Sequence, residues 1–158
     1  MSTLEFETTV ASPLQKVWDF YENPATSLPL LSQPEDEVTI ESVDFPLRVG
    51  SRLVIHTKSP IGRIKWVAKI VEHRPPHAVV FGEEARFVDE QESGPFRSWR
   101  HEHDFERVDE KSTRIIDRIT YRVPYGPVGW IADHLLVRPK LRAMFAHRHA
   151  QIARSFDR

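Results

Sequence analysis

The sequence predicts an α+β fold, with an antiparallel sheet of about seven strands covered on one face by a long C-terminal helix. Three observations predict it. An amphipathic helix follows the first strand, a run of roughly ninety residues then alternates in the manner of strands, and the last thirty or so residues return to helical spacing.

The elements follow in order. Residues 3 to 10 alternate, with Leu4 and Phe6 on one face, and read as a strand. In "ASPLQKVWDFYENP" Ser12 is placed to cap, Pro13 suits a first helical position and Gln15 would complete a capping box. Leu14, Val17, Trp18 and Tyr21 then form one stripe, and Asn23 before Pro24 ends the helix. "ATSLPLL" reads as a second short helix or turn. Strands are expected at 37–43, 51–58, 62–73, 77–91, 96–108 and 112–123, with breaks at Gly50, Ser59-Pro60, Pro75-Pro76 and Ser93-Gly94-Pro95. Connections this short, with no helix between them, imply a meander. At the end of the chain Ile131, Leu135, Leu141, Phe145, Ile152 and Phe156 fall near helical spacing, and Pro139 should kink this helix or begin a new one.

The last hairpin allows a finer reading. With "DEK" at 109–111 as its loop, Val108 faces Ser112. Glu106 then meets Arg114 and Glu102 meets Arg118 on the outer face, two favourable cross-strand pairs. The inner face pairs Phe105 with Ile115, His103 with Asp117, His101 with Ile119 and Trp99 with Tyr121. An ionised carboxylate among such neighbours is costly unless hydrogen-bonded or wet. Trp66, Trp99, His101, His103, Asp117 and Tyr121 are more inward polar groups than a dry core needs, so a cavity is expected. Arg97, Arg100, Arg114, Arg118 and Arg122 belong to the solvated outer face.

Composition narrows the classes. A chain of 158 residues suits one domain spanning 1–158, and 40% apolar content is ample for a core. A formal net charge of −1 gives no ground for a nucleic-acid partner. There is no cysteine, and no serine lies in a glycine elbow, which argues against nucleophilic hydrolase chemistry. "MSTLEFETTV" has no basic region followed by an apolar run, and no stretch approaches membrane-spanning length. The expectation is a cytoplasmic protein, monomeric or homodimeric, without stable membrane insertion.

Taken with the element order, "FVDEQESGPFRSWRHEHDFE" followed by "RIIDRITYRVPYGPVGWIADHLL" resembles the START and polyketide cyclase/dehydrase superfamily, specifically its bacterial ligand-binding-like members. The likeness runs over nearly the whole chain. It implies a helix-grip fold, with the sheet curved around the terminal helix and a hydrophobic cavity between them. Its matching positions here are Asp89, Gln91, Trp99, His101, His103, Phe105, Asp117 and Tyr121. Members bind lipids, sterols, polyketides or hormones, and some cyclise or dehydrate polyketides. The resemblance implies no obligatory cofactor, and none is expected.

Three functional readings follow. The leading one is binding of a small apolar or amphipathic ligand, with Trp66, Phe87, Trp99, Tyr121 and Phe145 as surface. His101, His103 and Asp117 would orient it, and the resemblance implies Asp89 and Gln91 beside them. The second is a polyketide cyclase- or dehydratase-like enzyme in which His103, held by Asp117, moves a proton next to a ligand carbonyl. The third, ranked lowest, is a metal held by His101-x-His103 with Asp117 as third ligand.

Overall fold

The computed structural model describes residues 1–59, 62–77 and 84–157. Its elements are β1 (Ser2–Val10), α1 (Leu14–Glu22), α2 (Pro24–Leu31), β2 (Thr39–Val43), β3 (Arg52–Ser59), β4 (Gly62–Arg74), β5 (Glu84–Ser93), β6 (Ser98–Asp109), β7 (Ser112–Arg122), α3 (Gly126–Ala132) and α4 (Arg138–Phe156). A 3-10 turn at Pro34–Asp36 leads into β2, and a π-helical stretch at Asp133–Val137 joins α3 to α4. The strands form one antiparallel sheet in the order β1-β7-β6-β5-β4-β3-β2. The meander thus runs back until β7 meets β1, and α4 packs against β1 and α2. The first part of the strand expected at 77–91 lies partly outside the described residues.

Helix α1 buries the expected stripe of Leu14, Val17, Trp18 and Tyr21. Its start differs from expectation. Pro13 is the cap residue and no side chain caps the helix. Ser12 is buried instead, its carbonyl accepting from Thr113 Oγ1 at 2.8 Å, while Gln15 donates to Asp19 at 2.8 Å. A serine whose carbonyl is tied to β7 is not free to turn its hydroxyl back onto the first helical turn. Trp18 meets Phe87 and Phe105 edge-on at 5.8 and 5.7 Å, the geometry aromatic quadrupoles favour.

The β6–β7 register matches the expected one from Ser98–Arg122 to Arg107–Thr113, including His103 opposite Asp117. Its end differs. Asp109 pairs with Ser112, leaving a two-residue turn, and the extra residue is taken up as a bulge at Val108. A second irregularity in β4 falls between Ile70 and Glu72. It moves the inward face from even to odd numbers, so that Trp66, Ala68 and Ile70 face the interior and then His73 packs on Trp18 at 5.4 Å.

The C-terminal apolar stripe is the main correction. Leu141, Phe145 and Ile152 are buried as expected, but Ile131 and Leu135 are 51% and 71% exposed. Pro139 has no N–H to offer the carbonyl four residues back, and the helix widens into its π stretch just before it. The wider turn shifts the phase between α3 and α4, so one stripe cannot run through both. Asp133 takes the inward place. It accepts from Tyr121 Oη at 2.6 Å and Ser2 Oγ at 2.8 Å, with Arg138 Nη2 at 3.3 Å. At the start of α3, a Cβ on Gly129 would lie 1.9 Å from the Pro124 carbonyl oxygen, so only glycine lets the helix sit this close.

Asp133→Ala would strand the buried Tyr121 hydroxyl and should lower stability by about 1–3 kcal/mol, read as a lower urea midpoint. Burial raises the Asp133 carboxyl, but the bonds from Tyr121, Ser2 and Arg138 outweigh it and hold it below its ordinary 3.8. A carboxylate depressed on folding contributes stability above the ordinary value and loses it as pH falls through the folded one. Asp133→Asn should therefore flatten the acid limb of the stability curve below about pH 4.

Candidate functional site

Two apolar clusters build the interior. One lies under α1 around Trp18, Phe87, Phe105 and Ile115, and the other lies under α4 around Leu4, Trp99, Ile119 and Phe145. The polar residues sit on the seam between them. His103 is stacked on Phe87 at 4.0 Å, with the first cluster. His101 meets Phe145 edge-on at 5.2 Å, with the second. The two imidazole centroids are 3.6 Å apart, much closer than the roughly 6.5 Å rise between residues two apart on a strand, so the rings lean together.

The ion pairs run along diagonals of the sheet. In register, His101 stands opposite Asp89 and Ile119, and His103 opposite Phe87 and Asp117. Yet His101 Nε2 donates to Asp117 Oδ1 at 2.7 Å and His103 Nε2 to Asp89 Oδ2 at 2.8 Å. Diagonal neighbours are within reach of side chains of this length. The second nitrogens face the other carboxylates, His101 Nδ1 at 3.7 Å from Asp89 Oδ2 and His103 Nδ1 at 3.3 Å from Asp117 Oδ1. The free oxygen of Asp117 accepts from His149 Nε2 on α4 at 2.7 Å.

Charge follows from this wiring. Burial would raise the Asp117 carboxyl, but bonds from His101, His103 and His149 hold it well below its ordinary range. Asp89 is also lowered, its burial outweighed mainly by His103. For His103 burial opposes charge, but the bonds to Asp117 and Asp89 prevail and raise its pKa. His101 is pushed down to about 4 by burial and by the neighbouring His103, with Asp117 only partly compensating. The wiring thus favours the charged form of His103 and the neutral form of His101, beside two carboxylates.

Beside the seam is a cavity of about 190 Å³ between the sheet, α2 and α4. Trp66, Phe87, Asp89, Trp99, His101, His103 and Phe145 reach its wall. Three expected residues are not among the wall residues. Asp117 is fully buried behind the histidines. Tyr121 is committed to Asp133. Gln91 clamps Phe96, donating to its carbonyl at 2.7 Å and accepting from its N–H at 3.1 Å. Tyr21, Arg148 and His149 were not anticipated at the site. Tyr21 and Arg148 line the cavity, and the Tyr21 hydroxyl finds no hydrogen-bond partner among the described residues. His149 had a visible signal, for it continues the buried series Leu141, Phe145 and Ile152 at a position that would otherwise be apolar.

Comparison with solved structures places this architecture. A START superfamily protein from Mycobacterium smegmatis superposes with TM-score 0.66 at 10% identity, over 98% of this chain and 97% of that one. Zhui aromatase/cyclase from Streptomyces sp. R1128 gives 0.65 at 13% identity, over 98% and 95%. Norcoclaurine synthase from Thalictrum flavum, in complex with dopamine and hydroxybenzaldehyde, gives 0.62 at 17% identity, over 96% and 86%. These likenesses define the class by fold: the chain has the helix-grip fold shared by START and aromatase/cyclase proteins. Residues 76–156 match the family described as "Domain of unknown function (DUF8410)", and the chain belongs to that family. No curated protein matches the sequence. Among the described residues no helix is long and apolar enough to cross a membrane.

Proposed function

We propose that the whole chain acts as one domain that binds a small, mainly apolar molecule with an oxygen-bearing polar end. The carrying observation is a cluster of polar groups in a mostly apolar cavity. Leu31, Ile55, Trp66 and Phe145 are among its walls, and Asp89, His101, His103, Arg148 and the Tyr21 hydroxyl, which has no hydrogen-bond partner among the described residues, gather in it. Apolar walls supply area, while a few convergent polar groups orient the ligand. Native mass spectrometry of gently purified protein should show a co-purifying apolar molecule. A protein that arrives without one, and that also fails to bind the apolar probe 1-anilinonaphthalene-8-sulfonate at one saturable site, would overturn the reading.

One observation favours a second reading, polyketide cyclase- or dehydratase-like proton transfer. His103 stands at the cavity wall with a carboxylate on either side, Asp89 at 2.8 Å and Asp117 at 3.3 Å. A charged imidazole so placed would protonate a ligand carbonyl or a leaving hydroxyl, with Asp117 holding the ring as it gives up the proton. The fold shared with the Streptomyces aromatase/cyclase is in keeping with this. His103→Ala should abolish turnover of an aromatic polyketide substrate while leaving its affinity largely intact. Equal loss of both would leave plain binding.

A further inference from the structure

We propose that Asp89, His101 and His103 form a binding site for one divalent transition-metal ion at the polar end of the cavity. One donor atom from each of the three residues lies within 4.8 Å of the other two. Asp89 Oδ2 is 2.8 Å from His103 Nε2 and 3.7 Å from His101 Nδ1. Ligands bound about 2.0–2.2 Å from a shared ion stand roughly 3–3.5 Å apart, so both distances to Asp89 lie within a few tenths of an ångström of that range.

The atoms behind the donors are arranged as an outer shell. Each histidine turns one nitrogen toward Asp89 and the other toward the same oxygen of Asp117. Metal-binding histidines ordinarily have a carboxylate or carbonyl on the far nitrogen, which fixes tautomer and ring orientation. Asp117 has that role here for two rings at once. It is fully buried, and its remaining oxygen is anchored by His149 Nε2 at 2.7 Å. Phe87, stacked at 4.0 Å, fixes the plane of His103.

The present hydrogen bonds also leave a gap that a cation fills. His101 Nε2 is committed to Asp117, and its Nδ1 faces Asp89 Oδ2 at 3.7 Å, too far for a hydrogen bond. Both atoms are therefore available to a cation placed between them. Likewise His103 Nδ1 is buried and makes no well-aligned hydrogen bond. With a metal on Nε2, the His103 proton sits on Nδ1 facing Asp117, and the proton now shared with Asp89 is released.

The donor set selects the ion class. Two imidazoles and one carboxylate suit zinc and ferrous iron, and three protein ligands leave further positions open. All three donors line the cavity and Asp117 does not, so the open positions face the cavity. They would take water or an oxygen atom of the cavity's ligand. The third ligand foreseen from sequence, Asp117, is on the wrong side of both rings.

The inference stands on metal uptake and does not depend on what the cavity holds. Purified full-length protein, treated with chelator and dialysed, is titrated with Zn²⁺ by calorimetry and with Co²⁺ by visible absorption. One equivalent is expected. Asp117→Asn should weaken uptake by about 10–100-fold and His101→Ala by more than that, while His147→Ala on α4 leaves it unchanged. Absence of uptake, or uptake unaffected by His101→Ala, would overturn the site. Should the variants fail to fold by circular dichroism, anomalous scattering at the zinc edge from crystals of the unaltered protein decides. A peak between Asp89, His101 and His103 supports the site, and no peak there overturns it.

Discussion

Asp117→Ala is expected to destabilise the protein by about 3–5 kcal/mol, the usual consequence of removing one partner from a buried ionic cluster. The residue is wholly buried and is the acceptor for His101 and His149, with His103 Nδ1 3.3 Å away. Without it, the buried N–H groups of His101 and His149 lose the carboxylate they donate to, and His103 loses one of the two carboxylates flanking it. Domains of this size hold about 5–15 kcal/mol in all, so the variant should purify poorly and unfold at much lower urea. Equilibrium unfolding with an unchanged m-value is the measurement. A loss below about 1 kcal/mol would mean that the cluster rearranges around the gap.

That loss would not show that the cluster exists for stability. Replacing Asp117, His101 and His149 together by leucine removes charge and partners at once. Such exchanges of a buried polar network for apolar side chains are often neutral or stabilising. The triple variant is therefore expected to recover much of what Asp117→Ala loses while removing His101 from the polar end of the cavity. Such a recovery is what the proposed binding role at the cavity wall predicts, since a cluster kept for stability alone would not be replaceable by leucine.

How much of this could be read from sequence varied with the element. The β6–β7 register was legible because Glu102–Arg118 and Glu106–Arg114 match only in one alignment, and those pairs form with N–O distances of 3.5 and 2.9 Å. The pairing within the site was not legible. Register places His103 opposite Asp117, but the ring rotamers choose the diagonals, and Asp89 on β5 takes His103. Asp89 had been indicated only by resemblance. His149 lies in the expected inward series with Leu141, Phe145 and Ile152, but helical spacing alone does not show that its partner is Asp117 on β7. The parity change in β4 at Ile70–Glu72 was equally invisible, since a bulge in a strand without glycine there leaves no compositional mark.

Ala68→Trp should empty the cavity of ligand without harming the fold. Ala68 lies on β4 between Trp66 and Ile70 on the cavity face, and it is half-buried. An indole in its place projects into a void of about 190 Å³ rather than into packed atoms. The overpacking penalty of a filled core, about 1–3 kcal/mol, is accordingly not expected. Affinity for 1-anilinonaphthalene-8-sulfonate should fall by about 100-fold, equivalent to about 2.7 kcal/mol, with the urea midpoint unchanged. The exposed Val128, Leu135 and Leu136 offer a competing place for an apolar probe, and Leu135→Ser with Leu136→Ser tests it. If the double serine variant loses the probe and Ala68→Trp keeps it, binding is at the surface and the cavity reading fails. Because Ala68 lies outside the Asp89, His101 and His103 donor set, Ala68→Trp should still take up one Zn²⁺. Loss of the probe with retention of zinc would show the apolar chamber and the metal ligands to be separable parts of one site.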